Sequence, residues 1–108
     1  MSRKKGNIAE DMAVDFLHDN GFKILERNYY SRFGEIDIIA FKDDTIHFIE
    51  VKSGKGEPIF NITPSKLSKI IKTSEFYLVK TKSDKNFCYD AVIVEENRVE
   101  LIENISFF

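Results

Sequence analysis

The chain is predicted to be an α/β protein, with a central mixed β-sheet flanked by helices in the order α-β-β-β-α-β-β. Three observations carry that expectation. Two segments repeat their apolar residues at helical spacing; five others alternate or run apolar over strand-like lengths; and turn or cap residues fall between them.

Ile8, Ala9, Met12, Ala13, Phe16 and Leu17 recur at helical spacing, with Asn7 before them as an N-cap and Gly21 after them as a helix-ending glycine. Residues 22–28, FKILERN, alternate as a strand, and a turn at Gly34 leads into EIDIIAF, whose period of two is clear. TIHFIEVK follows, and the two runs form a hairpin about a turn at Asp43 and Asp44. SGKGEPIFNI reads as a loop. Thr63-Pro64 supplies an N-cap and a first-turn proline for a second helix, whose inward stripe is Leu67, Ile70, Ile71, Ser74, Tyr77 and Leu78. FCYDAVIV and RVELIEN close the chain as strands joined by a turn near Glu96 and Asn97.

At 108 residues and 43% hydrophobic, the chain can bury one core but not two, so a single domain is expected over residues 1–108. No apolar stretch approaches the roughly 18 residues of a membrane helix, and the basic start has no apolar run behind it. A soluble cytoplasmic protein without a membrane partner is the expectation. Cys88 is the only cysteine, which excludes an intramolecular disulfide, and no Cys or His cluster has zinc-site spacing, so any metal must be held mainly by carboxylates.

The net charge of −2 argues against a protein that coats nucleic acid through bulk positive charge, yet the charge is segregated. Residues 6–51 carry four basic against ten acidic side chains, whereas residues 52–85 carry eight lysines against three acids. The lysines form either a solvated helix face or a surface turned to phosphates.

The hairpin concentrates the chemistry. If Asp43-Asp44 is its two-residue turn, Asp37 lies opposite Glu50 and Glu35 opposite Lys52, all four on one face. A one-residue slip would send Asp37 to the other face. Two neighbouring carboxylates repel unless a cation sits between them, and Mg²⁺ suits a few carboxylate oxygens while keeping several waters. Lys52 could steady a water or the charge developing on phosphorus. Glu35 opposite Lys52 is equally an ordinary cross-strand ion pair.

Gly34-Glu35-Ile36-Asp37, about a dozen residues before Glu50-Val51-Lys52, resembles the metal-binding core of the restriction-endonuclease-like PD-(D/E)xK nucleases, including archaeal Holliday-junction resolvases. More narrowly, the whole chain resembles the YraN family of small bacterial proteins, through GNIAEDMAVDFL, GFKILERNYYSRFGEIDIIA, HFIEVKSG, SKLSKIIKTSEFYL and CYDAVIV. That resemblance implies a restriction-endonuclease-like fold in which Asp37 and Glu50 bind Mg²⁺ or Mn²⁺, the Val51 carbonyl adds a ligand, and Lys52 is the catalytic lysine. Glu35 is a supporting carboxylate. Glu10 matches the acidic residue such folds carry on the first helix, although Asn7-x-x-Glu10 also resembles a capping box. Lys66 matches a family lysine and, with Lys69, Thr73 and Lys80 on the same helix face, is a candidate phosphate contact. The family position of Cys88 is usually basic, so this chain departs there. A homodimer is common among resolvase-like relatives, though no residue here marks one.

His18 and His47 are isolated in sequence, and neither reads as catalytic. Tyr29, Tyr30 and Phe33, interleaved with Arg27 and Arg32, either pack or stack exposed bases. Asp90, within an apolar run, reads as a satisfied buried carboxylate whose partner the sequence leaves open. The function these residues imply is Mg²⁺-dependent hydrolysis of phosphodiesters in DNA, with branched or structured DNA as a candidate substrate. The alternative is a non-catalytic nucleic-acid-binding module that keeps the nuclease fold.

Overall fold

The Asp43-Asp44 turn sets the frame. Both residues adopt positive φ, +51° and +61°, the conformation of a type I′ turn, which joins two strands with the right-handed twist of a sheet. A computed structural model describes residues 5–54 and 62–105, with side chains described from residue 8 onward. The elements are α1 (Lys5–Asp19), β1 (Lys23–Ser31), β2 (Gly34–Lys42), β3 (Thr45–Ser53), α2 (Pro64–Lys80), β4 (Asn86–Glu95) and β5 (Arg98–Ile102). They follow the expected order.

The strands form one five-stranded sheet in the order β1-β2-β3-β4-β5. Only β3 and β4 run parallel, and α2 supplies the crossover that a parallel pair requires. The β2–β3 register has Lys42 opposite Thr45 and Ile38 opposite Ile49, as the two-residue turn demands.

The two helices cover opposite faces of the sheet. On one, Ala9, Ala13 and Leu17 of α1 pack with Ile38, Ala40, Ile49, Val92 and Val94. On the other, Leu67, Ile70 and Tyr77 of α2 pack with Ile39, Ile46, Phe48, Ala91 and Ile93. Odd positions of β3 therefore face α1 and even positions face α2, which carries Glu50 and Lys52 to the α2 side. Thr63 caps α2 as expected: its hydroxyl accepts the Lys66 N–H at 3.1 Å, and Pro64 occupies the first turn.

Several boundaries differ from the sequence expectation. Helix α1 begins at Lys5, so Asn7 lies inside it and is not an N-cap. Its apolar stripe is narrower, because Ile8 is 52% and Met12 38% exposed. Strand β1 continues to Ser31, three residues beyond the expected end, and places Tyr29 edge-to-face on Tyr77 at 5.1 Å. Tyr30 is exposed. Thr73 was expected on the lysine face of the second helix, but it is fully buried, with its hydroxyl 2.8 Å from that of Ser31. Most of the loop expected over 53–62 lies outside the described residues. No helix among the described residues is long and apolar enough to cross a membrane.

Candidate metal and catalytic site

Beyond the Ile38–Ile49 pair the regular β2–β3 ladder stops, and Asp37 fills the gap. Its carboxylate oxygen Oδ2 accepts the Val51 N–H at 2.8 Å, a donor that a continuing ladder would have offered to the β2 backbone. On the other side of β2, Asn28 of β1 adopts φ +52°, a left-handed conformation that asparagine tolerates, and its pairing with Asp37 is interrupted. The packing records the same irregularity: Ile36 joins the α2-side core whereas Ile38 joins the α1-side core, so strict alternation breaks at Asp37. Local departures of this kind re-aim a side chain, and this one aims a carboxylate at β3.

The group it meets is Glu50, which is only 3% exposed. Burial pushes the Asp37 carboxyl up to about 8, a hydrogen bond to Glu50 and the Glu50 charge push the same way, and the Val51 N–H opposes them. Asp37 is therefore held toward its protonated form, facing Glu50. Glu50 is also neutralised from α2, where Lys66 Nζ lies 2.6 Å from its Oε2. Burial is the largest single influence and works against the Lys66 charge, yet hydrogen bonds to Glu50 and Lys52 and the Glu50 and Asp37 charges together outweigh it and hold the ammonium above its ordinary value. Lys52 moves the other way: burial lowers it, and the neighbouring Lys66 ammonium lowers it further, against the pull of Glu50 and Asp37.

A cavity of about 450 Å³ opens beside this cluster, lined in part by Gly34, Glu35, Asp37, Glu50, Lys66 and Lys69. The fold thus brings together Asp37, Glu50, Lys52 and Lys66, with Glu35 and the exposed Lys69 on the cavity wall. Glu35 does not pair with Lys52. It sits opposite Tyr30 of β1, and it raises the Tyr30 hydroxyl through a hydrogen bond. Among the described residues no ion pair joins Glu35 to Lys52; loss of the β2–β3 ladder beyond Ile38 removes that register.

Glu10 is 6% exposed and does not fold back as a capping box, since the helix starts before Asn7. Its Oε1 instead accepts from Asn28 Nδ2 at 2.9 Å and Arg27 Nε at 3.3 Å, and its charge adds to the upward pressure on Asp37. The neighbouring Asp11 pairs with the same Arg27 at 2.7 Å. Asn28 and Arg27 are the contributors that sequence reasoning missed. The available signal was Asn28 itself, a residue that favours left-handed backbone, inside an otherwise regular strand.

Lys80 does not line this cavity. His18 is exposed on α1, within 3.9 Å of Asp19. His47, isolated in sequence, meets Asp90 and Cys88 on the opposite face of the sheet. The donor chemistry near Asp37 fits a hard divalent cation: two adjacent carboxyl groups, Asp37 held toward its protonated form by burial and by Glu50, with the neutral backbone of Val51 close by.

Fold and site together define a small α/β protein with a carboxylate–lysine cluster where two antiparallel strands part. The chain belongs to the family described as Uncharacterised protein family UPF0102, whose model matches residues 9–94. It is 57% identical over 106 residues to a UPF0102 protein of Helicobacter hepaticus, covering 97% of this chain and 96% of that one. A Wolinella succinogenes UPF0102 protein is 55% identical over 107 residues, covering 98% and 99% respectively. A Helicobacter pylori UPF0102 protein is 54% identical over 106 residues, covering 97% and 93%. This membership bears out the narrower resemblance drawn from the sequence.

Proposed function

We propose that the chain is a restriction-endonuclease-like, Mg²⁺- or Mn²⁺-dependent nuclease that hydrolyses phosphodiester bonds in DNA, branched or otherwise structured, in the cytoplasm. The observation that carries this reading is the convergence of Asp37 and Glu50 with two lysine ammonium groups beside an open cavity. Asp37, Glu50 and the Val51 carbonyl would hold the metal, which when bound supplies Lewis acidity toward a phosphoryl oxygen and an acidified water. Occupancy requires Asp37 to give up its proton and Lys66 to release Glu50.

A released Lys66 is free to meet a phosphate oxygen, and Lys69 extends the positive surface along α2 toward solvent. Lys52 is depressed by burial and by Lys66, which suits a group that holds or moves a proton at Nζ while phosphorus is attacked. Glu10, held by Arg27 and Asn28, supports the site through its charge and keeps α1 docked against β1.

One observation favours the alternative of a non-catalytic nucleic-acid-binding module. Lys66 of the chain's own second helix sits 2.6 Å from Glu50, so this carboxylate has an ammonium counter-ion within the fold. Incubating the protein with branched, nicked and single-stranded DNA in Mg²⁺ or Mn²⁺ separates the readings. The nuclease reading expects metal-dependent cleavage, lost in Asp37→Asn and Glu50→Gln. Salt-sensitive DNA binding without cleavage or metal uptake would favour the binding module, and an Asp37→Asn variant as active as wild type would remove the site from the mechanism.

A further inference from the structure

The face of the sheet away from Asp37 carries a second cluster, assembled by the parallel pairing of β3 and β4. That register sets His47 beside Cys88 and Ile49 beside Asp90, so His47, Cys88 and Asp90 project together toward the α1 side. His47 Nδ1 lies 2.5 Å from Asp90 Oδ2 and 3.1 Å from Cys88 Sγ, and Cys88 Sγ lies 3.7 Å from Asp90 Oδ2. One nitrogen, one sulfur and one oxygen thus converge on a single point.

This arrangement is not that of a nucleophilic cysteine activated by a histidine. In such a relay the thiol and the carboxylate meet opposite ring nitrogens, whereas here both meet Nδ1. Convergence on one point is what a metal ion requires. Zinc bonds of about 2.0–2.3 Å in a tetrahedron separate donor atoms by roughly 3.3–3.8 Å, so the sulfur is already nearly in place and the His47–Asp90 pair need open by only about an ångström.

We propose that His47 Nδ1, Cys88 Sγ and Asp90 Oδ2 form a binding site for one divalent transition-metal ion of the zinc class, separate from the Asp37–Glu50 site. The mixed nitrogen, sulfur and oxygen donor set selects zinc or cobalt over magnesium. The ligands are oriented by their neighbours. Asp90 is fully buried, and its other oxygen, Oδ1, accepts the Asn104 N–H at 3.0 Å, while the Phe22 ring packs edge-on against His47 with centroids 4.9 Å apart. His47 also borders a cavity of about 630 Å³, shared with Phe16, Phe22, Lys42 and Glu103, which gives an ion a path to the histidine. Metal binding moves the His47 ring proton from Nδ1 to Nε2, which frees Nδ1 to ligate, and releases the thiol proton of Cys88 to solvent. The ion ties β3 to β4 and to the segment after β5 through Asn104, which makes its role structural.

Cobalt titration of the metal-free full-length protein tests this. Expected is a thiolate-to-cobalt charge-transfer absorption with intense tetrahedral d–d bands, reaching a plateau at one equivalent and erased by added Zn²⁺. Cys88→Ser should lose the charge-transfer band and His47→Gln the d–d intensity, with circular dichroism reporting that each variant remains folded. Asp37→Asn should keep both signals, so failure of DNA cleavage and failure of this site are read independently. No charge-transfer band in the wild type overturns the proposal, as does a band that survives in Cys88→Ser or disappears in Asp37→Asn. If one variant does not fold, the wild-type spectrum and the other variant still decide.

Discussion

Replacing Asp37 with asparagine should stabilise the metal-free protein at alkaline pH while abolishing its response to divalent metal. The Asp37 carboxyl is pushed up to about 8 from an ordinary value of 3.8, chiefly by burial and then by Glu50. A raised value in the folded state means that the contribution of this group to stability is complete below about 4 and is lost as pH rises toward 8. Each pH unit across that window costs about 1.4 kcal/mol, so the upper figure at pH 8 is on the order of 5 kcal/mol. Asp37 is partly open to solvent, which reduces the expectation to roughly 2–3 kcal/mol. Asparagine cannot ionise but still offers an oxygen to the Val51 N–H. For a domain of this size the gain corresponds to about 10 °C in midpoint at pH 8, and to little at pH 4. Thermal unfolding followed by circular dichroism from pH 4 to 8.5 in chelator measures it. Added Mn²⁺ should raise the wild-type midpoint at pH 8 and leave the variant unchanged. Parallel pH dependence in the two proteins, or a variant that melts lower at pH 8, would refute the reasoning.

Lys66→Ala removes the cation held on buried Glu50 and should cost about 1–3 kcal/mol in metal-free urea unfolding, less than for a fully buried pair because the lysine side chain is 41% exposed. Saturating Mn²⁺ should recover most of that loss. Lys52→Met should lower the DNA cleavage rate by about 10²–10⁴-fold while calorimetry shows unchanged metal affinity. Asp44→Gly relieves a non-glycine residue at φ +61° and should raise stability by up to about 1 kcal/mol, with cleavage and metal binding unaltered.

The hairpin was legible from sequence because its information is local. A two-residue acidic turn fixes every pairing from Lys42–Thr45 to Ile38–Ile49, and side-chain alternation then assigns the faces. The start of α2 was legible for the same reason, since Thr63 and Pro64 act on their own backbone. The start of α1 was not: Asn7 has cap chemistry, but the helix runs past it to Lys5. The site was legible as far as Asp37 and Glu50 being neighbours. That Asp37 replaces a ladder bond, that Lys66 rather than Glu35 completes the charge balance, and that Asn28 and Arg27 hold Glu10 all depend on how α1 and α2 dock onto the sheet. The His47–Cys88–Asp90 cluster was least legible, because its members lie on parallel strands joined through a whole helix, and no spacing rule spans such a crossover.

Anomalous diffraction from crystals soaked in Mn²⁺ at pH 8 tests the proposed metal site most directly. The expected result is a peak bonded to both the Asp37 and Glu50 carboxylates, with the Lys66 ammonium moved off Glu50. Full Mn²⁺ in the soak, with no peak between those carboxylates and the Lys66–Glu50 pair intact, would contradict it.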